Sequence, residues 1–273
     1  MRRLVRSRSD AQPGDVLWDP MRGVLDARQL AGAHAIVNLA GAPIARRWTH
    51  ARMQDIRDSR LRSTELIAQA VATLDEKPRV VLSGSAVGYY GDRGDEVLDE
   101  HSAPGTDFLG TLAREWEDAA RPIAEVGVRL VLLRTGIVLT PSGGALQKLL
   151  LPFRAGLGGR IGSGRQWMSW ISLADQLAAM EHALDRESVS GPLNLVAPTP
   201  VTNAQFTAAL GHVLQRPAVI PVPEFALELV FGEMARATLL SGQRAIPAAL
   251  SQSGFRFGDE TLELALSAAL GRS

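Results

Sequence analysis

Short apolar runs rich in β-branched residues alternate with longer helical patterns along most of this chain. The runs predict strands at residues 3–5, 35–39, 79–82, 128–133 and 193–196. Between the runs, apolar residues recur every three or four positions, which predicts helices at residues 51–74, 109–126, 145–154 and 173–186. Strands that alternate with helices in this way form βαβ units. We therefore predict an α/β fold with a mostly parallel sheet.

The pattern changes at residue 198, after which prolines bound a series of helices. The predicted helices there cover residues 203–214, 224–239 and 260–270. We predict a core over residues 1–197, with a substrate-loop insertion at 142–172, and a small helical C-terminal subdomain over 198–273 that completes the substrate side. Two helix starts have the spacing of capping boxes, Ser172 with Asp175 and Thr202 with Gln205.

The composition argues against several classes of partner. The 29 basic and 29 acidic side chains cancel, so no long-range attraction to nucleic acid or an anionic membrane is expected. Cysteine is absent and the five histidines are scattered, which leaves no metal-binding spacing. No apolar segment is long enough to span a bilayer, and the N-terminus lacks the apolar core of a signal peptide. We predict a cytoplasmic protein that acts on a small molecule.

Hydroxyl groups are concentrated where one predicted strand ends, in the stretch VVLSGSAVGYYG from Val80. This stretch carries Ser83, Ser85, Tyr89 and Tyr90. In open α/β sheets, ligands bind in the crevice beyond the carboxyl ends of the strands. We therefore expect these four hydroxyls at the strand end and in the loop that follows it, with Ser85 facing the crevice.

Several longer motifs resemble one known family, and together they cover nearly the whole chain. They are VNLAGAPIA from Val37, DSRLRSTELI from Asp58, SGSAVGYYGD from Ser83, DFLGTLAREWEDAA from Asp107, VLLRTGIVL from Val131, LPFRAGLGGRIGSGRQWMSWI from Leu151, and GPLNLVAPTPVTNAQF from Gly191. The chain resembles the atypical, epimerase-like branch of the extended short-chain dehydrogenase/reductase superfamily, whose members end in a small domain of unassigned function. The resemblance implies a doubly wound Rossmann-type sheet that binds a dinucleotide, NADP rather than NAD. It also implies an epimerase or oxidoreductase activity.

The N-terminus departs from this family. A dinucleotide-binding fold opens with a strand and a glycine-rich turn, which lets the backbone approach the pyrophosphate. Here the first residues, MRRLVRS, resemble the second strand of the family, and the first glycine is Gly14. We expect the central first strand to be absent. A shortened reading frame is the favoured explanation, and the alternative is a natural variant in which another segment or chain fills the slot.

The resemblance implies a set of cofactor-binding residues. They are Arg6, Ser7, Asn38, Leu39, Ala40, Gly41, Arg60, Ser83 and Gly84. Basic residues after the second strand suit the 2′-phosphate of NADP, and small residues after a strand let the backbone approach a ligand. The alternatives stay open: Arg6 and Arg60 as solvated arginines, and the small residues as packing residues.

The catalytic dyad of the superfamily is a tyrosine followed four residues later by a lysine, and this chain lacks it. Phe108 stands at the tyrosine position and Leu112 at the lysine position. Ser85 matches the hydroxyl that polarises the substrate. Tyr89 or Tyr90 is the candidate proton donor, although a phenol without a cationic neighbour keeps a pKa of about 10. The alternative for both tyrosines is a packed loop with hydroxyls bonded to backbone.

The glycine-rich segment at residues 156–171 is the expected substrate-side wall. Its five glycines predict a mobile loop. Its polar and aromatic contacts would come from Arg165, Gln166, Trp167 and Trp170.

Two functions are consistent with these residues. The first is an NADP-dependent epimerase or oxidoreductase that acts on a small carbonyl or sugar-like substrate through an unconventional proton donor. The second is a non-catalytic dinucleotide-binding regulatory protein, as a role in cell or plastid division among its relatives suggests.

Overall fold

The computed structural model describes residues 1–272. The strands are β1 (Leu4–Val5), β2 (Val16–Asp19), β3 (Val24–Leu25), β4 (Ala35–Asn38), β5 (Val80–Ala86), β6 (Val97–Leu98), β7 (Arg129–Thr135), β8 (Ile137–Leu139), β9 (Trp167–Met168), β10 (Trp170–Ser172), β11 (Gly191–Leu195), β12 (Val201–Thr202) and β13 (Arg244–Ala245). The helices are α1 (His50–Thr73), α2 (Phe108–Glu125), α3 (Gly144–Arg154), α4 (Leu173–Asp185), α5 (Asn203–Leu214), α6 (Glu224–Phe231), α7 (Glu233–Thr238), α8 (Ala248–Gln252) and α9 (Leu262–Ala269).

The central sheet is parallel and has the order β4-β5-β7-β11. The apolar runs predicted these four strands, but β5 and β7 end later than predicted, at Ala86 instead of residue 82 and at Thr135 instead of residue 133. The pairing of β5 with β7 continues through Ser83 and Ser85 to Ala86. The strand predicted to end at residue 82 therefore continues through both serines, and Ser85 lies near its carboxyl end, as expected.

A second, smaller sheet lies at the N-terminus, where β1 pairs with β2 in parallel and β2 pairs with β3 antiparallel. Within residues 1–272, no backbone pairing joins β1 to β4. Side chains make the connection instead: Trp18 and Leu30 share a buried apolar cluster with Ile36 and Leu66. Side chains rather than backbone hydrogen bonds therefore hold the two sheets together.

Helices cover both faces of the central sheet, so the predicted doubly wound α/β architecture is confirmed. One cluster joins apolar residues of α1 and α2, including Ile67 and Ile123, to Val81 of β5. A second cluster joins Ala179 of α4 to Leu82 of the same strand. Adjacent residues of β5 thus point to opposite layers, as the period of a strand requires.

The predicted C-terminal subdomain consists largely of helices, and its core is shared with the segment before it. Phe206 of α5 and Leu266 of α9 belong to the same buried cluster as Leu146 of α3 and Trp170 of β10. Ser273, the last residue of that predicted subdomain, lies outside the described residues. The division of the chain into two parts stays a prediction.

Some of the helix starts and bounds predicted in the second half of the chain agree with the structure, and others differ. Thr202 and Gln205 form the predicted capping box, and Ser172 caps α4 by accepting a hydrogen bond from the Asp175 amide. The helix predicted at residues 224–239 is instead two helices, because Gly232 adopts φ 60° between them. None of the helices within residues 1–272 combines the length and the apolar character that crossing a membrane demands.

Candidate functional site

Ser85 lies near the carboxyl end of β5, where it faces inward. Its hydroxyl donates a hydrogen bond to Glu117 Oε1 of α2 at 2.7 Å, and only 5% of the residue is exposed. The expectation that this hydroxyl faces an open crevice is therefore corrected. A carboxylate accepts hydrogen bonds and cannot donate them, so the serine proton is directed to Glu117.

Glu117 also forms a buried ion pair with Arg134 of β7. Arg134 Nε donates to Glu117 Oε1 at 2.8 Å and Nη2 donates to Oε2 at 2.9 Å. Arg134 lies directly across from Ser85 in the strand register, which explains why both reach the same carboxylate. Burial alone would lower the pKa of Arg134, but its hydrogen bonds and charge attraction to Glu117 raise it above the usual value.

The same guanidinium extends the network to Tyr90. Arg134 Nη1 donates to Tyr90 Oη at 3.1 Å, and that hydroxyl donates to Asn194 Oδ1 of β11 at 2.7 Å. Tyr90 is completely buried, and burial raises its pKa to about 12. This placement favours the packed-loop alternative, although the hydroxyl bonds to side chains rather than to the backbone, and Tyr90 as a proton donor stays a prediction.

Tyr89 occupies a different position in the network. The Arg134 guanidinium carbon lies 3.5 Å from the centre of the Tyr89 ring, a close cation–π contact. The residue is half-buried, and its hydroxyl makes no hydrogen bond within residues 1–272. Tyr89 therefore remains the candidate proton donor, and Arg134 contacts the face of its ring.

Glu117 and Arg134 were absent from the predicted site residues, although the sequence contained a signal for each. Arg134 interrupts the most apolar run of the chain, and a charge inside a buried strand requires a partner. Glu117 falls on the buried face of α2, between Trp116 and Ala120. Neither signal by itself predicts that Glu117 and Arg134 form an ion pair with each other.

The network continues to the C-terminal part of the chain through a second carboxylate. Glu100 Oε1 accepts from the Asn194 amide at 3.0 Å, and Oε2 accepts from the Ala249 amide at 3.2 Å. The Asn194 side chain donates to the Ile246 carbonyl at 2.9 Å. These bonds fix the position of α8 relative to the sheet.

The two residues at the dyad positions have structural contacts. Phe108, the first residue of α2, packs edge-on against Trp48 with ring centres 5.1 Å apart. Leu112 is buried in the same apolar cluster. Neither side chain can exchange a proton.

Four of the predicted cofactor residues lie at the end of β4 and in the loop that follows it. Asn38 is buried, and its side chain donates to Thr64 Oγ1 at 3.0 Å and accepts from the Ala40 amide at 3.2 Å. It therefore shapes the turn. Leu39 and Gly41 are exposed, and Ala40 is half-buried, so a ligand can approach their backbone.

Ser83 and Gly84 lie on β5 beside this loop. The Ser83 hydroxyl is buried and has no hydrogen-bond partner within the described chain. A buried hydroxyl without a partner is uncommon and favours an additional ligand or water at that position. A Cβ on Gly84 would come within 2.7 Å of the Trp116 ring, so this glycine permits close packing.

Arg60 of α1 lies under the same loop. Its Nη1 donates to the Ala42 carbonyl at 3.1 Å, and its guanidinium carbon lies 5.1 Å from the Trp116 ring centre. Burial lowers the pKa of Arg60, and the charge of nearby Arg52 lowers it further. Among the described residues Arg60 has no carboxylate partner, so its positive charge is available to a bound anion.

After β1, Arg6 and Arg8 are exposed and Ser7 is half-buried. Arg6 and Arg8 form no ion pair with any residue in the described range. Ser7 accepts a hydrogen bond from the Ser9 amide at 3.2 Å and caps a short 3₁₀ turn. The position thus presents two solvated cations beside a turn.

The predicted substrate wall divides into exposed and buried residues. Trp170 is completely buried and donates to the Thr199 carbonyl at 2.9 Å, which removes it from the wall. Gln166 binds the carbonyls of Ile161 and Leu239. Trp167 donates to Asp95, with the Arg244 guanidinium carbon 4.4 Å from its ring centre. Arg165 is exposed.

Two glycines of this wall, Gly158 and Gly159, permit close packing instead of mobility. The expectation of a mobile loop is therefore corrected at these two residues. Gly158 and Gly159 are buried. A Cβ on Gly158 would lie 2.7 Å from the Phe153 ring, and one on Gly159 would overlap the Ile220 carbonyl. The described residues hold no cluster of three or more metal-ligating side chains.

Comparison with known proteins identifies relatives along the whole chain. A profile named Domain of unknown function (DUF1731) matches residues 222–269. The epimerase family protein Mb2239 of Mycobacterium bovis is 46% identical over 271 residues, which cover 99% of this chain and 89% of the relative. The human epimerase family protein SDR39U1 is 39% identical over 258 residues, which cover 93% and 86%.

Solved structures agree with these sequence matches. The crystal structure of the human protein SDR39U1 (isoform 2) with NADPH superimposes with a TM-score of 0.88 at 35% identity, covering 99% of this chain and 90% of that chain. A nucleoside-diphosphate sugar epimerase from Corynebacterium glutamicum superimposes with a TM-score of 0.78 at 35% identity. It is matched over 97% of this chain and 51% of its own length.

Proposed function

Because the chain belongs to the epimerase family within the extended short-chain dehydrogenases/reductases, we propose that it is an NADP(H)-dependent oxidoreductase of the epimerase type. The proposed substrate is a small molecule that presents a carbonyl or a sugar-like hydroxyl. The observation that carries the proposal is the pair Ser85 and Tyr89, which one buried ion pair holds at the carboxyl ends of β5 and β7.

Three features fit a bound dinucleotide. The Ser83 hydroxyl is buried without a partner in residues 1–272, and Arg60 lacks a carboxylate in the same range. Arg6 and Arg8 follow β1, where basic residues suit a 2′-phosphate. The NADPH in the human relative supports the same choice of cofactor. When bound, the nicotinamide would supply or accept the hydride.

The side chains of this chain would manage the proton. Ser85 directs its own proton to Glu117, so its oxygen is left to accept a hydrogen bond from a substrate hydroxyl, which would reach it through the small exposed fraction of the residue, 5%. Tyr89 has a hydroxyl without a partner in the described chain and is our candidate for proton exchange with the substrate oxygen. Arg134 contacts both Glu117 and the Tyr89 ring, and thereby positions the two groups together.

A second function has its own support. Phe108 and Leu112 occupy the dyad positions, and Ser85 is almost fully buried. These observations favour a regulatory protein that binds the dinucleotide without turnover. The family name alone does not decide between the two, because one fold hosts many functions.

Titration of NADPH fluorescence, followed by NADPH absorbance with a panel of aldehydes, ketones and sugar nucleotides, tests the proposal. Binding with substrate-dependent NADPH oxidation supports the enzyme. Binding without oxidation by any member of the panel favours the regulatory protein. Absence of NADPH binding contradicts both functions.

A further inference from the structure

The loop after β4 is surrounded by cations that bind its carbonyl groups. Arg60 binds the Ala42 carbonyl, Arg52 binds that of Pro43, and Lys148 Nζ lies 3.4 Å from that of Ala45. We refer to residues 42–47 as the basic loop. The basic loop also contains Arg46 and Arg47. Within the described chain, the one carboxylate that pairs with any of these cations is Asp55, which binds Arg52.

Two helices meet the basic loop. Lys148 belongs to α3 and reaches Ala45, and Arg47 Nη1 donates at 2.9 Å to the carbonyl of Leu229 in the last turn of α6. The segment that follows α3 is also joined to the segment that precedes α6, since the Ile220 amide donates to the Gly158 carbonyl at 3.1 Å. The helices α3 and α6 therefore flank the basic loop in opposite chain directions.

Large apolar side chains are exposed on both flanking helices. Leu151 is 78% exposed and lies three residues after Lys148, on the same face of α3. On α6, Phe225 and Leu229 are 73% and 76% exposed and lie four residues apart on one face. No residue of α6 is buried. Each flanking helix thus presents exposed apolar side chains beside a cation that contacts or belongs to the basic loop, and exposed apolar groups of this kind mark binding surfaces.

We propose that the basic loop and the apolar side chains of α3 and α6 bind an amphiphilic anion, namely an alkyl or acyl chain that carries a phosphate. Arg46 and Lys148 attract the phosphate, while Leu151, Phe225 and Leu229 cover the chain. This inference rests on the proposed function, because the phosphate-bearing chain would also carry the carbonyl or hydroxyl that the proposed reaction needs, whereas decyl phosphate, used below, lacks that group and serves only as a binding probe. A symmetric contact with a second copy is disfavoured, since it would bring two basic loops together.

Calorimetric titration with decyl phosphate below its micelle concentration tests this assignment. We expect decyl phosphate to bind at least about tenfold more tightly than either inorganic phosphate or a neutral detergent with the same decyl chain and a tetraethylene glycol head group. Equal affinity for decyl phosphate and the neutral decyl detergent would show that the charges contribute nothing and would overturn the proposal. So would equal affinity for decyl phosphate and inorganic phosphate, because the apolar side chains would then contribute nothing.

Matched variants locate the site. Lys148→Ala and Leu229→Ser should each weaken decyl phosphate binding by about tenfold, because each removes one half of the recognition. Lys77→Ala and Leu264→Ser serve as controls, since Lys77 also binds a backbone carbonyl and Leu264 is exposed on α9. Equal effects of all four variants would overturn the proposal. Self-association that Leu229→Ser abolishes, without decyl phosphate binding, would also overturn it and assign the surface to a second copy.

NADPH titration of the same protein separates this inference from the proposed function. Decyl phosphate binding with the expected variant effects, but without NADPH binding, supports the amphiphile site and contradicts the NADP-dependent enzyme. NADPH binding and turnover without decyl phosphate binding contradicts the amphiphile site alone.

Discussion

Glu117 accepts hydrogen bonds from both Arg134 and Ser85, so one buried carboxylate joins α2, β7 and β5. The three groups cannot be understood singly. Arg134 without Glu117 would be a buried cation without an acidic partner, and Ser85 without Glu117 would lose the acceptor of its proton. The candidate site is therefore also a structural element of the sheet, which makes its stability measurable independently of activity.

The first prediction concerns the ion pair. Glu117→Gln should lower the free energy of unfolding by about 3–5 kcal/mol, because it leaves the Arg134 charge buried without its partner. Urea denaturation gives the value. The double variant Glu117→Leu with Arg134→Met should lose less, since it removes both charges. A Gln variant as stable as the parent would contradict the role assigned to this pair.

The second prediction concerns the ionisation of Tyr90. Its pKa is raised from 10.0 to about 12, chiefly by burial. In the variant Tyr89→Phe, Tyr90 is the one tyrosine that remains of the two in the chain. Ultraviolet absorbance should then show phenolate formation with a midpoint near 12 rather than 10, provided that the protein remains folded. A midpoint near 10 would show that the hydroxyl is not buried in solution.

The third prediction concerns the pH dependence of stability that follows from the raised pKa of Tyr90. Because the folded state raises the pKa of Tyr90, its contribution to stability is fully present below pH 10 and is lost as the pH rises towards about 12. The difference in unfolding free energy between the parent and Tyr90→Phe should therefore shrink over that range. Urea denaturation at pH 9 and at pH 11 tests this, and a difference that stays constant would contradict it.

The fourth prediction concerns Gly84. A methyl group there would lie 2.7 Å from the Trp116 ring and 3.2 Å from the Asn38 carbonyl, so Gly84→Ala should destabilise the fold by about 1–3 kcal/mol. Gly143→Ala is the matched control, because nothing lies within 4 Å of its Cβ position. Thermal unfolding of both variants tests the difference, and equal melting temperatures would contradict the close packing at β5.

The fifth prediction tests the proposed chemistry. Ser85→Ala and Tyr89→Phe should each reduce any measured kcat by about a hundredfold, because each removes a group proposed to handle the substrate proton. NADPH affinity, followed by fluorescence, should change little, since neither hydroxyl is assigned to the cofactor. If Tyr89→Phe retains the parental kcat, Tyr89 is not the proton donor.

The sequence predicted the framework well, because apolar periodicity reports which residues a strand or helix buries. The four strands of the central sheet and α1 to α5 follow from it. The short strand β2 was missed, since four residues that include Trp18 and Asp19 form no distinctive apolar run. The division between α6 and α7 depends on the backbone conformation of Gly232, which a helical pattern does not reveal.

The candidate site was predicted less completely. Ser85 was identified by its position at a strand end, but its orientation depends on Glu117 and Arg134, which are 17 residues apart and meet only after α2 packs on the sheet. Likewise, nothing local distinguishes Tyr89 from Tyr90, yet one is half-buried and the other makes buried hydrogen bonds to Arg134 and Asn194. Long-range contacts decide both cases.

The absence of backbone pairing between β1 and β4 within residues 1–272 has a consequence for cooperativity. The small N-terminal sheet is joined to the larger sheet by side-chain packing, so it can open without disrupting a hydrogen-bonded ladder of its neighbour. Native-state hydrogen exchange should therefore detect two protection levels, with the amides of β1 and β2 exchanging earlier than those of β5 and β7. A ligand that slows the exchange of the β1 and β2 amides would therefore do so by coupling the small N-terminal sheet to the larger one.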